Sequence, residues 1–127
     1  MTAGARLIAI IDSDQSVRRA VARLLRAHGF RVQAFASAEA FLVRGRSDEP
    51  ACLVLDMELD GISGIELLRR LAAEGSSIPT VVMTGADDGS MQRRAIVAGC
   101  AAYLSKPSSA ERLLAAIEQA MRAGDRD

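Results

Sequence analysis

The chain has 127 residues, half of them hydrophobic, which matches one domain able to bury roughly two-thirds of its unfolded surface. Sixteen basic and sixteen acidic side chains cancel, so no net field draws the chain toward a phosphate backbone or an anionic bilayer, and nucleic-acid binding gets no support. The longest apolar runs (LIAII, CLVL, TVVM) fall far short of the ~20 residues of a membrane helix, and MTAGAR lacks a signal-peptide core. A single cytoplasmic domain over 1–127 is therefore expected, ordered over about 5–123, with tails at 1–4 and 124–127.

In chain order, LIAII predicts a first strand, and Val17, Val21, Leu24 and Leu25 at helical spacing predict a helix stopped at His28–Gly29. RVQAF predicts a second strand. Ser37 can cap a short helix carrying Ala38, Phe41 and Leu42, and after the loop GRSDEP the run ACLVL predicts a third strand. Ser63 and Glu66 form a capping box ahead of Ile65, Leu68 and Leu71, with Gly75 closing that helix. TVVMT predicts a fourth strand. The polar stretch GADDGS then leads to a helix from about Met91 to Ala98, ended by Gly99. A brief strand around AAYL precedes Lys106 and Pro107, and Ser108 with Glu111 predicts a capping box for a last helix carrying Leu113, Leu114, Ile117 and Met121.

Strict alternation of five strands and five helices implies an α/β fold, because crossovers through helices force strands to pair in parallel and bury both sheet faces. Ligand sites in such open sheets lie beyond the carboxyl ends of the strands, where strand order reverses. Those ends carry Asp12, Asp56, Thr84 and Lys106. If the first and third strands are neighbours, two carboxylates meet there with one hydroxyl and one ammonium. Crowded carboxylates repel unless a divalent cation neutralises them, and hard oxygen ligands suit magnesium. Lys106 is the only lysine among the sixteen basic residues; a compact ammonium reaches one oxygen where the guanidinium fork is bulkier. A functional role outweighs chance retention at that strand end. Cys52 and Cys100, with His28 the only imidazole, exclude a zinc site on ligand count, and both cysteines read as small buried hydrophobes.

The segments IIDSDQSVRRAVARLLRAHGFRVQAFASAEAFL, CLVLDMELDGISGIELLRRL, IPTVVMTGADD and RRAIVAGCAAYLSKP resemble the response-regulator receiver family, the CheY-like domains, and most closely the FixJ-type branch. The resemblance implies a flavodoxin-like, doubly wound (βα)5 sheet of order 2-1-3-4-5. It implies Asp56 as phosphoacceptor, Thr84 as the hydroxyl that hydrogen-bonds the phosphoryl group and Lys106 as its cation. It also implies magnesium held by Asp12, Asp56 and the main-chain carbonyl of Glu58, and Tyr103 as an aromatic that follows the hydroxyl on activation, though half-buried packing serves Tyr103 equally well. A sensor histidine kinase or phosphotransfer protein would be the partner, and a homodimer would use the face of the fourth helix, fifth strand and fifth helix, where Arg93, Arg94 and Arg112 also lie.

The chain departs from that pattern at Ser13, where receivers carry a second acid that ligates the metal directly. A hydroxyl brings no charge, so weakened magnesium binding is expected unless Ser13 or Asp14 compensates. Asp14 reads better as the N-cap of the helix beginning near Gln15. Leu59, Asp60, Ala86 and Ser108 are milder departures, and Glu58 and Ala86 should influence the lifetime of an acyl phosphate. Two other readings stand beside the receiver. One is a docking module on the same scaffold without phosphorylation, prompted by Ser13. The other is a haloacid dehalogenase-like phosphatase, prompted by DSDQSV, with Asp12 as nucleophile; it needs a flap after the first strand and leaves Asp56 without a role.

Overall fold

A computed structural model describes residues 5–45, 48–85 and 89–125. Five strands, β1 (Leu7–Ile11), β2 (Arg31–Phe35), β3 (Cys52–Leu55), β4 (Thr80–Thr84) and β5 (Ala102–Ser105), alternate with five helices, α1 (Gln15–Ala27), α2 (Ala38–Leu42), α3 (Gly64–Ala73), α4 (Gly89–Val97) and α5 (Ala110–Asp125). The strands pair in parallel in the order β2-β1-β3-β4-β5, the expected doubly wound arrangement.

The position of each strand in the sheet explains its composition. β1, β3 and β4 are buried along their whole length, and their unbroken apolar runs serve two covered faces. β2 is an edge, and Arg31, Gln33 and Ala34 are exposed along it. Alternation on β1 divides the core, since successive side chains point to opposite faces. Ile8 and Ile10 pack with Val21, Leu25, Leu113 and Ile117 beneath α1 and α5. Ala9 and Ile11 pack with Phe41, Leu67, Leu68 and Ala95 beneath α2, α3 and α4.

Helix starts follow the polar residues that the sequence marks, with one shift. The Asp14 carboxylate accepts the amides of Ser16 (2.8 Å) and Val17 (3.3 Å), Ser37 Oγ accepts Ala40 N, and Ser63 Oγ accepts Glu66 N. At α5 the cap is Ser109, whose Oγ accepts Arg112 N at 3.1 Å, and not Ser108. The helix begins at Ala110, so Ser108 lies too far from its first amides, and its Oγ is buried without a partner. α5 also outlasts expectation. The tail expected from residue 124 is helical through Asp125, whose carboxylate takes both terminal nitrogens of Arg6, at 3.0 and 3.1 Å. α4 starts two residues before Met91 and ends at Val97.

Removing the Asp14 cap leaves orphan amides at the start of α1. Asp14→Ala is expected to cost about 1 kcal/mol in a chemical-denaturation series; an unchanged midpoint would show that solvent caps the helix equally well.

Candidate functional site

The reversal of strand order between β1 and β3 opens a cleft at their carboxyl ends. Asp12 and Asp56 are the first residues beyond these strands, one residue past the bounds of each. Both stay tied to the sheet: Asp12 N donates to Phe35 O at 3.1 Å, and Asp56 N to Ile11 O at 2.9 Å. Their backbones are thus fixed by neighbouring strands, and both carboxylates sit nearly out of solvent, with Asp12 2% and Asp56 5% exposed.

Lys106 joins them. Its Nζ donates to Asp12 Oδ2 at 2.7 Å and to Asp56 Oδ2 at 3.3 Å. The ammonium is delivered by the end of β5, where Lys106 N donates to Thr84 O at 2.8 Å. Thr84 itself is fully buried. Extending the β3–β4 register places Asp56 level with Met83 and Thr84 one residue further along. All four residues expected at the strand ends therefore gather at one rim.

The second oxygen of each acid is held by main chain. Asp12 Oδ1 accepts Asp14 N at 2.9 Å, and Asp56 Oδ1 accepts Glu58 N at 3.0 Å. Arg18 reaches back to Asp12 O at 2.7 Å and tightens the same turn.

Two acids share one cation, so the charge of the second carboxylate is left unmatched. Burial pushes the Asp56 carboxyl up; the Glu58 amide opposes this, the charge of Asp12 adds to it, and Lys106 opposes it. Lys106 lies closer to Asp12 than to Asp56. Burial lowers Lys106, but its hydrogen bond to Asp12 and the charges of Asp56 and Asp12 outweigh burial and hold it charged.

The donor set fits magnesium. Among the described residues no three His, Cys, Asp or Glu side chains gather, so side chains supply only the two buried carboxylates. Magnesium is commonly held by one or two carboxylates while keeping several waters, and an excess negative charge between two buried acids is the environment that draws it. Ser13 is exposed beside the cleft, and Asp14 Oδ1 accepts both α1 amides. Asp14 is thus the helix cap that its position suggests. Tyr103 lies partly buried on β5 against the α2–α3–α4 side of the core. Ala86 falls outside the described residues.

Two residues of this region carry no signal that sequence reasoning picked up. Gly64, at the first position of α3, lies so close to the preceding strand end that a Cβ there would overlap the main-chain oxygen of Asp56 and the Cα of Met57. Glu39, on α2, reaches across to the loop after β3, and its Oε2 accepts Ile62 N at 3.0 Å. Cys52 is buried, its thiol pushed up to about 12 by desolvation, and Cys100 is pushed up for the same reason; neither takes part in the site. No described helix is long and apolar enough to cross a membrane.

A family model, the response regulator receiver domain, matches residues 8–118. The transcriptional regulatory protein FixJ of Azorhizobium caulinodans is 38% identical over 112 residues, covering 88% of this chain and 53% of that protein. The response regulator protein TmoT of Ectopseudomonas mendocina is 38% identical over 116 residues, 91% of this chain and 53% of its own length. The chain thus spans about half the length of these curated relatives. Among solved structures, FixJ-N superposes with a TM-score of 0.85 at 35% identity, covering 92% of this chain and 94% of that one. The response regulator StyR superposes at 0.88 with 40% identity, covering 97% of this chain and 62% of that one. Receiver domains generally bind magnesium in an acidic pocket and interact with histidine kinases or phosphotransfer proteins. With strand order, strand-end chemistry and relatives in agreement, the chain belongs to the response regulator receiver domains, the phosphoacceptor signalling modules of two-component systems.

Proposed function

We propose that this receiver takes a phosphoryl group onto Asp56 from the phosphohistidine of a sensor kinase or phosphotransfer protein in the cytoplasm. The observation that carries the reading is the single ammonium of Lys106 within hydrogen-bonding distance of two buried carboxylates. In the transfer, an Asp56 carboxylate oxygen forms a bond to phosphorus as the phosphorus–nitrogen bond of the donor breaks, and the imidazole leaves with that electron pair. The Glu58 amide fixes the rotation of the carboxylate by holding Oδ1. Lys106 releases its longer contact, to Asp56, and follows a phosphoryl oxygen while keeping Asp12. Thr84 donates its hydroxyl to another phosphoryl oxygen, and Tyr103 moves with it as the switch.

Asp12, Asp56 and the Glu58 main-chain carbonyl would hold magnesium, which supplies charge stabilisation for the transferring group. The acceptor catalyses its own phosphorylation and dephosphorylation only. An open apolar groove of about 560 Å³ between α1 and α5, lined by Val17, Val21, Leu24, Met83, Pro107 and Leu113 beside Lys106, supports docking of a donor helix near the cleft. On α4, Ile96 is 56% exposed, which supports an α4–β5–α5 face for output or homodimerisation.

The test is incubation with magnesium and a small acyl phosphate, with the phosphoprotein resolved by mobility gel. Label on the wild type that disappears in Asp56→Asn supports the reading. Label that survives Asp56→Asn but not Asp12→Asn would make the chain a phosphatase, against which α1 begins at Gln15 with no intervening flap. No label at any magnesium concentration leaves a docking module. Ser13→Asp restores a charged ligand at the rim and is expected to tighten magnesium roughly tenfold by calorimetry; an unchanged affinity would show that water replaces the missing carboxylate without loss.

A further inference from the structure

The loop between β3 and α3 carries the Glu58 carbonyl, and three of the hydrogen bonds among the described residues bear on its position. Two are local: Glu58 N to Asp56 Oδ1, and Gly64 N to Met57 O at 3.2 Å. The third comes from 23 residues away in sequence, where Glu39 Oε2 accepts Ile62 N at 3.0 Å. A second observation marks the same point. Gly61 has φ +74, and a Cβ built on it would overlap the Glu39 carboxylate, so the tip of the Glu39 side chain lies directly against the Gly61 backbone. We propose that Glu39 is a positioning residue: its carboxylate clasps the Gly61–Ile62 turn and so sets the loop, and with it the Glu58 carbonyl, for magnesium at Asp12 and Asp56.

The Asp56 rim is otherwise built from strand ends that the sheet fixes, but Glu58 stands beyond β3 on a connection that the ladder does not reach. A ligand on such a segment keeps its place only if something outside the sheet holds it. Two features favour the charged carboxylate in this clasp. The Ile62 amide lowers the Glu39 carboxyl, with its own amide and Arg70 acting in the same direction. Arg70, whose guanidinium bonds Glu66 at 2.9 Å, places a positive group on the α3 side of the same contact. This rests on the magnesium-dependent chemistry proposed above.

The experiment uses the full chain in four forms: wild type, Glu39→Ala, Glu39→Asp and Glu39→Gln. Magnesium affinity is read by calorimetry and the exchange rate of the Ile62 amide by NMR in metal-free buffer. Alanine removes the acceptor and aspartate shortens its reach, whereas glutamine keeps a carbonyl oxygen at the same distance. Ile62 exchange is expected to rise roughly tenfold in Glu39→Ala and Glu39→Asp, with magnesium binding about fivefold weaker and both values near wild type in Glu39→Gln. Faster exchange with unchanged magnesium affinity would overturn the proposal, as would exchange that does not move. If Glu39→Ala does not fold, the comparison of Gln with Asp decides: recovery in Gln alone supports the clasp, equal behaviour overturns it. A wild type that binds no magnesium removes the phosphoacceptor reading itself, whereas a binding wild type with indifferent variants removes only the role of Glu39.

Discussion

Asp56→Asn is expected to lower phosphoryl incorporation at least about 100-fold and, at the same time, to raise the thermal midpoint of the metal-free protein at neutral pH. Loss of the acceptor oxygen accounts for the first effect, since an amide is a far weaker nucleophile than a carboxylate. The second follows from burial. In the folded chain the Asp56 carboxyl is raised above its ordinary value of 3.8, first by desolvation and then by Asp12 beside it. A group whose folded value is raised binds its proton more tightly in the native state. Stability therefore falls as pH climbs from the unfolded value through the raised one, and stays lower above it. The asparagine variant carries no such charge, so its advantage should be present at neutral pH and shrink as the pH falls toward the ordinary carboxylate range. Thermal unfolding of both forms in chelator across that range checks this. A variant less stable than wild type at neutral pH would show that Lys106 more than compensates for the buried acid.

The second large effect is structural. Gly64→Ala adds one methyl group where it would overlap the main-chain oxygen of Asp56 and the Cα of Met57. Neither contact can be relieved by rotating a side chain, because both partners are backbone, and the strand end behind them is bonded to β1 through Asp56 N. Either α3 shifts outward, losing the packing of Ile65, Leu67 and Leu68, which are buried, or the strand end shifts and carries the phosphoacceptor with it. A cost of about 3 kcal/mol is expected in chemical denaturation, with slower phosphorylation of the folded fraction. A variant of wild-type stability would place the start of α3 further from the strand than the structure does.

The architecture was legible because each level of the sequence points the same way. Five short strand runs, helical periodicities between them and polar caps before the helices leave a parallel sheet as the remaining solution. The positions of the candidate residues were legible for a related reason: Asp12, Asp56, Thr84 and Lys106 stand at the carboxyl ends of strands, where polar groups in an open parallel sheet gather at the order reversal. What escaped was governed by geometry between segments. Ser108 and Ser109 are adjacent and equally good caps by type; the chain's exit from β5 decides between them, and it selects Ser109. Gly64 follows a helix cap, where glycine is unremarkable, and only the approach of α3 to the Asp56 backbone shows why a side chain is excluded. Glu39 reads as an ordinary acid in the first turn of α2. Its contact with Ile62 joins segments whose relative placement no local pattern encodes.

The most direct test of the account is chemical mapping of the modified residue. The chain is phosphorylated with an acyl phosphate and magnesium, reduced at once with labelled borohydride, which converts an aspartyl phosphate to homoserine, and digested. Reduced label is expected at position 56 in wild type, with none recovered from Asp56→Asn. Label at position 12, or on any other acid with Asp56 intact, contradicts it.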